Sequence, residues 1–315
     1  MKPTLRQLRL FQAAARHPSF KATATAMHLT PSALSIQLKQ LEETVGLALF
    51  EQIGKQKYLT QAGRELVCAC ENIFTELDTI EMRLTQLKGN MVGTLRLAVV
   101  TSAKFFAPHL LGSFHRLYPD VELQLQVANR GQILQRLRDN ADDLVIMAQV
   151  PDAPPVKATP FLDNPLVVIA PPDHPLAGER QIKFRQLVKN DFLIREPGSG
   201  TRMAMEGIFQ REGATMNCLM ELGSSEAIKQ GVIAGLGLSI LSRHCVWLEL
   251  KTGYLTELDV INFPDLRVWN AVHLTGKILS PVAESFLDFI ISNGQSIENE
   301  VSERYDPLQQ RSAAL

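Results

Sequence analysis

A chain of 315 residues that is 45% hydrophobic can bury one large core or two to three small ones, so length alone leaves the number of domains open. The formal net charge of −1 conceals a division: residues 1–60 carry eight Lys or Arg against three Glu, 8 − 3 = +5, which leaves −1 − 5 = −6 for the remainder. A basic end on an otherwise acidic chain favours an anionic partner there, although a solvated basic surface gives the same count. The four cysteines, Cys68, Cys70, Cys218 and Cys245, form no CxxC, which argues against disulfides and structural zinc. With no signal-type apolar segment and no run approaching about 18 apolar residues, a soluble cytoplasmic protein is expected.

Residues 4–17 place Leu5, Leu8, Phe11 and Ala15 on one stripe, which predicts a helix ended by Pro18. A second short helix fits Phe20 to Met27. In HLTPSALSIQLKQLEETVG, residues 28–46, Thr30 can cap a third helix, Pro31 suits its first position, and Gly46 marks its end. Three short helices suggest a helix-turn-helix, though a small helical bundle has the same outline. At about 100° per residue the third helix separates Leu34, Leu38, Leu41 and Val45 from an opposite set formed by Ser32, Ser35, Ile36 and Lys39. The apolar set fixes the helix, and the outward set suits phosphates and base edges, with Ile36 able to touch a thymine methyl. LFEQIGKQKYLT, residues 49–60, predicts a basic hairpin with Gly54 and Lys55 at its turn that can lie against the DNA backbone beside the recognition helix, with Lys55 and Lys57 as candidate DNA contacts, although an ordinary basic loop has the same composition.

Thr60 is a candidate cap for a long connecting helix. Within it Leu66, Cys70, Ile73, Leu77, Ile80, Leu84 and Leu87 step by 4, 3, 4, 3, 4 and 3, a heptad seam that predicts pairing with a second copy. Paired chains would present two recognition helices to an approximately twofold DNA site.

Beyond Gly93, strands and helices alternate: TLRLAVV, a helix near residues 101–118, VELQLQVA, GQILQRLRDN and DLVIMAQV. This predicts an α/β unit with a mostly parallel sheet. A second set of elements follows the proline-punctuated segment ATPFLDNPLVVIAPPDHPLA, and RVWNAVHLTG with PVAESFLDFIISN can return to the first sheet, giving two lobes around a cleft. FLIREPGSGTRMAM, residues 192–205, predicts a strand, a turn and a helix start. There Gly198 and Gly200 let backbone amides converge, while Arg195, Ser199, Thr201 and Arg202 offer anion contacts; a capped surface turn is the equal alternative. Thr101 and Ser102, at another strand-to-helix junction, form a second candidate anion site, with Gln149 as a neutral contact, although capping alone explains either hydroxyl.

No GxSxG or HExxH occurs and the seven histidines are scattered, so the chain is not expected to be an enzyme or to hold a metal or cofactor. A binding protein without DNA function would explain the cleft, but neither the basic head nor the heptad helix.

These segments together resemble the LysR-type transcriptional regulators: LRQLRLFQAAARHPSF, HLTPSALSIQLKQLEETVGLALFEQ and KQKYLTQAGREL occur in that family's order. The resemblance implies a DNA-binding winged helix-turn-helix over residues 1–59, a dimerising linker helix over 60–90 and an effector-binding domain like the periplasmic binding proteins over 91–291. Lobe I would take about 91–161 and 267–291, lobe II about 162–266, and 292–315 would be a flexible tail. It further implies a tetramer built from two dimers, promoter DNA as partner and contact with RNA polymerase.

ARHPSF, the Leu117 to Asp120 segment and REPGSGTR at 195–202 resemble the CbbR-like branch in particular. That likeness implies activation of carbon-fixation genes by a phosphorylated metabolite such as ribulose 1,5-bisphosphate or 2-phosphoglycolate; regulators in related branches sense carboxylates instead. Effector contacts carried over are Thr101, Ser102, Gln149, Arg195, Ser199, Thr201 and Arg202, and Pro31 joins the DNA-facing set. Pro31-Ser32 stands where the family often has Gln-Pro, which removes a bidentate adenine contact and shifts readout to the remaining outward residues or to DNA shape.

Overall fold

A computed structural model describes residues 2–53, 56–86 and 91–304. The chain divides into two compact units, Met1–Leu84 and Thr85–Leu315. Among the described residues no helix is long and apolar enough to cross a membrane.

In the first unit, α1 (Leu5–Arg16) opens at a capping box between Thr4 and Gln7, α2 (Phe20–Ala26) at Ser19, and α3 (Pro31–Val45) at Thr30, whose hydroxyl accepts from the Ala33 amide at 3.2 Å. Gly46 ends α3 in the left-handed region at φ 81°, where a side chain would be strained. Leu34, Leu38 and Leu41 sink with Leu8, Phe11, Ala14 and Leu49 into one core. Leu5 differs from expectation: it is exposed, and the buried stripe of α1 begins one turn later. Antiparallel strands β1 (Phe50–Ile53) and β2 (Gln56–Leu59) form the expected hairpin beside the helices; its turn residue Lys55 lies outside the described residues.

Helix α4 (Gln61–Gln86) starts at Thr60, whose hydroxyl accepts from the Gly63 amide at 3.0 Å. The expected heptad seam is divided between two roles. Leu66 and Cys70 belong to the head's own core together with Phe74, because the first turns of α4 pack back on the three helices. Only Ile73, Leu77, Ile80 and Leu84, 39% to 57% exposed, stand clear of that core, and Leu87 lies outside the described residues.

The second unit runs β3 (Gly93–Val100), a 3₁₀ turn (Ala103–Phe105), α5 (Ala107–Leu117), β4 (Val121–Ala128), α6 (Arg130–Arg138) and β5 (Leu144–Met147). It continues with β6 (Val156–Ala170), α7 (Phe184–Leu187), β7 (Phe192–Arg195), α8 (Gly200–Arg211) and β8 (Cys218–Leu222). The last elements are α9 (Ser225–Ile233), β9 (Ser239–Ser242), α10 (Arg243–Thr252), β10 (Thr256–Glu257), β11 (Asp265–Leu274) and α11 (Pro281–Arg304).

The expected mostly parallel sheet is mixed. β3 pairs in parallel with β4 and β5, but β11 runs antiparallel to both β5 and β6, and β6 pairs antiparallel with β9 and β10. The cause is topological: the chain leaves the first lobe along β6 and must come back along β11, so these long strands are necessarily opposed. Apolar side chains from β3, β5 and α6 fill the first lobe, and those from β6, β7, α8 and β9 fill the second.

The segment from Ser292 onward, expected as a flexible tail, continues α11 to Arg304. Ile297 is 8% exposed and borders an apolar cavity with Phe105, Phe106 and Trp247, which gives this extension a buried face. Residues 305–315 lie outside the described residues.

Candidate functional site

Two strand ends from different lobes converge on one cleft with an empty volume of about 630 Å³, part of it open to solvent. Arg195, the last residue of β7, is 2% exposed and donates through Nη2 to Thr101 Oγ1 at 3.2 Å, just beyond β3. Its Nη1 donates to Ser225 Oγ at 3.0 Å, while Nε and Nη2 grip the Glu196 carboxylate at 2.7 and 2.8 Å. Ser102, Gln149, Ser199, Gly200 and Thr201 line the same space, so the two junctions singled out in the sequence face each other. Ser199 holds the cap position of α8 but makes no capping bond with its hydroxyl, which leaves the helix's first amides suited to an anion.

Two expected contacts fall elsewhere. Gly198 does not line the cleft; its φ of 81° shapes the turn before α8. Arg202 points out of the site, with Nε on Glu206 at 2.7 Å and Nη1 on Glu221 at 2.6 Å and on the Arg195 carbonyl at 3.2 Å. Two carboxylates already neutralise it, so it buttresses the turn rather than meeting a ligand.

The sequence reading missed Arg130, Asn164, Arg267 and Trp269, all lining the cleft. Arg267 and Trp269 share one face of β11 by the two-residue strand period, a signal that was present once the strand was recognised. Arg130 opens α6 and its Nη2 donates to the Gln149 carbonyl at 3.3 Å. Burial pushes the Arg130 guanidinium below its ordinary pKa, with Asp152 acting the other way.

The polar balance of the cleft is uneven. Arg130 Nε, Gln149 Oε1, Asn164 Oδ1 and Trp269 Nε1 are buried and have no hydrogen-bond partner among the described residues. Buried polar atoms are normally paired by protein or ordered water, and four together in one cleft suit a space filled by water or a polar ligand. Three guanidiniums against one lining carboxylate, Glu196, give the lining a positive balance that suits an anion, with Arg267 also held by Asp265 outside the cleft at 2.9 Å.

The head offers a separate surface. Pro31, Ser32, Ser35, Ile36 and Lys39 are all exposed on α3, and Ser35 and Lys39 border a groove shared with Ser19, Gln52 and Gln56 of α2's cap and the hairpin. Lys57 lines the same groove, but its ammonium turns inward to the protein. Its Nζ donates to the carbonyls of Ala14 and His17 at the end of α1 and sits 4.6 Å from the Phe20 ring centroid and 4.9 Å from that of Phe50. The free carbonyls of a helix C-terminus attract a cation, and this one is committed to the fold.

Residues 5–64 match the family described as bacterial regulatory helix-turn-helix protein, lysR family, and residues 88–295 match the LysR substrate binding domain. The RuBisCO operon transcriptional regulator of Allochromatium vinosum is 47% identical over 292 residues, covering 93% of this chain and 97% of that protein. The regulator CbbR of Rhodospirillum rubrum is 45% identical, covering 91% of this chain and 95% of its own length. Among solved structures, the regulatory domain of Synechocystis PCC6803 CcmR in complex with 2-PG is 46% identical with a TM-score of 0.61, covering 64% of this chain and 96% of that one. Full-length CbnR complexed with its target DNA, at 18% identity and a TM-score of 0.66 over 91% of this chain and 98% of its own, shares the fold.

Proposed function

The chain belongs to the LysR family of bacterial regulatory helix-turn-helix proteins, and from that premise we propose that it controls carbon-fixation genes in response to a small phosphorylated anion bound between the lobes of its second unit. One observation carries the effector reading: the cleft gathers Arg130, Arg195 and Arg267 around four buried polar atoms that lack partners among the described residues. The relatives named for the RuBisCO operon and for CbbR support the choice of target genes, and the CcmR domain held with 2-PG supports a phosphorylated effector. A regulator whose cleft recognises an anion without transforming it accounts for these groups; no nucleophile and base are needed.

Pro31, Ser32, Ser35, Ile36 and Lys39 are the side chains that meet DNA in this reading. Pairing of two chains along Ile73, Leu77, Ile80 and Leu84 covers an otherwise exposed apolar stripe, and two such dimers form the tetramer that contacts promoter DNA and RNA polymerase. The effector prefers one orientation of the lobes, and that preference is the free energy available to alter DNA bending or footprint.

Calorimetric titration of the full chain with 2-phosphoglycolate, ribulose 1,5-bisphosphate and plain carboxylates tests the effector class. Saturable binding of a phosphorylated compound, lost in Arg195→Ala while DNA binding persists, is expected. Binding of carboxylates alone would reject the phosphorylated effector.

A further inference from the structure

The cation at the centre of the cleft is already occupied. Glu196 follows Arg195 directly in the chain and takes the paired Nε and Nη2 donors at 2.7 and 2.8 Å, the two-pronged face with which a guanidinium ordinarily grips an incoming carboxylate or phosphate. The guanidinium's other bonds among the described residues, to Ser225 and Thr101, hold it in place.

Glu196 and the partner of the neighbouring guanidinium are built differently. Asp265 engages Arg267 at 2.9 Å, does not line the cleft, and is itself clasped by Arg211, so it is a fixed anchor. Glu196 does line the cleft, its side chain keeps 27% exposure, and Arg195 is its sole ion-pair partner among the described residues. It follows that Glu196 can rotate toward solvent without breaking a second contact, whereas Arg195 cannot move without losing Ser225 and Thr101.

We propose that Glu196 is a tethered competitor: its carboxylate stands in for the effector on Arg195 and sets which anions are strong enough to displace it. This rests on the reading of the cleft as an anion site. A tethered group acts at an effective concentration of order millimolar or above. A carboxylate arriving from solution makes the same two bonds with the same single charge, so the exchange gains nothing and the competitor wins. A phosphate dianion brings twice the charge and a third acceptor oxygen, and the released Glu196 regains water. Because any anion must release Glu196 before it reaches the paired donors, the rival weakens all of them by one factor and sets a threshold that only the stronger, phosphorylated binders pass at a given concentration.

The test compares 2-phosphoglycolate with malonate, in which a carboxylate replaces the phosphate, by calorimetry on the full-length wild type, Glu196→Gln and Glu196→Asp. Glu196→Gln keeps the size but removes the negative charge and one of the two acceptors, since its amide nitrogen cannot accept from the guanidinium. Both affinities are expected to rise in Glu196→Gln by a similar factor, about tenfold, so that malonate, too weak to hold the wild-type cleft, comes within reach. Glu196→Asp retains the charge on a shorter arm that cannot span both nitrogens, and is expected to fall between wild type and Glu196→Gln. If Glu196 merely orients Arg195, both affinities drop together in Glu196→Gln; that result, or affinities equal to those of the wild type, overturns the competitor role while the anion site stands. Failure of all three proteins to bind either compound overturns the anion site itself.

Discussion

Replacing Lys57 with methionine separates a lysine that holds the head together from one that holds DNA. Nζ caps the last carbonyls of α1 and lies between the Phe20 and Phe50 rings. A charged hydrogen bond contributes about 1.5–3 kcal/mol. A half-exposed cation–π contact adds roughly 0.5–1 kcal/mol. Desolvation lowers the Lys57 pKa and offsets part of this, while the methionine stem retains the contact with the rings, so a net loss of about 2 kcal/mol is expected. For a unit of this size that corresponds to a fall of about 10 °C in its melting transition. Scanning calorimetry of the full chain reads it, and fluorescence of Trp247 and Trp269, both in the second unit, reports separately on the part that should not change. In parallel, the slope of log K against log salt for duplex binding should stay at the wild-type value in Lys57→Met and become shallower by about one in Lys39→Ala. A Lys57→Met protein that melts like wild type and shows the shallower slope would refute the assignment.

Two further outcomes follow from burial. Leu77→Glu with Ile80→Glu places charge on the exposed stripe of α4 and is expected to reduce the sedimentation mass to that of a monomer; a mass equal to wild type would place the seam elsewhere. Burial holds His244 at a pKa of about 4 against an ordinary 6.5, so the unfolded chain takes up its proton first as pH falls, and stability is lost from about pH 6.5 downward, by about 2 kcal/mol between pH 7 and 5. The raised pKa of neighbouring Glu298 works in the opposite sense, since its native form gains the proton first on acidification. His244→Asn should therefore show a flatter melting profile across this range, and an unaltered slope would remove His244 as the cause.

Local signals carried over into the structure where the physics is local. Thr30, Pro31 and Gly46 bracket α3 because capping, a missing amide and a left-handed turn are decided by neighbours a few residues away. Leu34, Leu38 and Leu41 are buried because a 3.6-residue period assigns faces without knowledge of the partner. The same periodicity misled at Leu66 and Cys70, since one helix face serves first the head's own core and then, a few turns later, an apolar stripe outside it; the heptad spacing is identical in both. Lys57 was misread because a charge count records that a cation exists and says nothing of where four methylenes take it.

The cleft was half legible for a related reason. Arg195, Ser199 and Thr201 occupy one short segment whose strand, turn and helix start announce convergent donors. Glu206 stands four residues after Arg202, a helical spacing that foretells their ion pair, so the misassignment of Arg202 was avoidable from the sequence. Asn164 and Trp269 are different: they lie on opposed strands more than a hundred residues apart, and only the return of the chain along β11 brings them to the same wall. Their significance is that Asn164 Oδ1 and Trp269 Nε1 have no hydrogen-bond partner among the described residues, a property of the assembled cleft and of no segment in it. Glu196 joins the two kinds of information. Its place beside Arg195 is written in the sequence, but its meaning depends on Thr101 and Ser225 fixing the guanidinium from two other elements, which leaves the carboxylate as the mobile half of the pair and the cleft's own substitute for the anion it awaits.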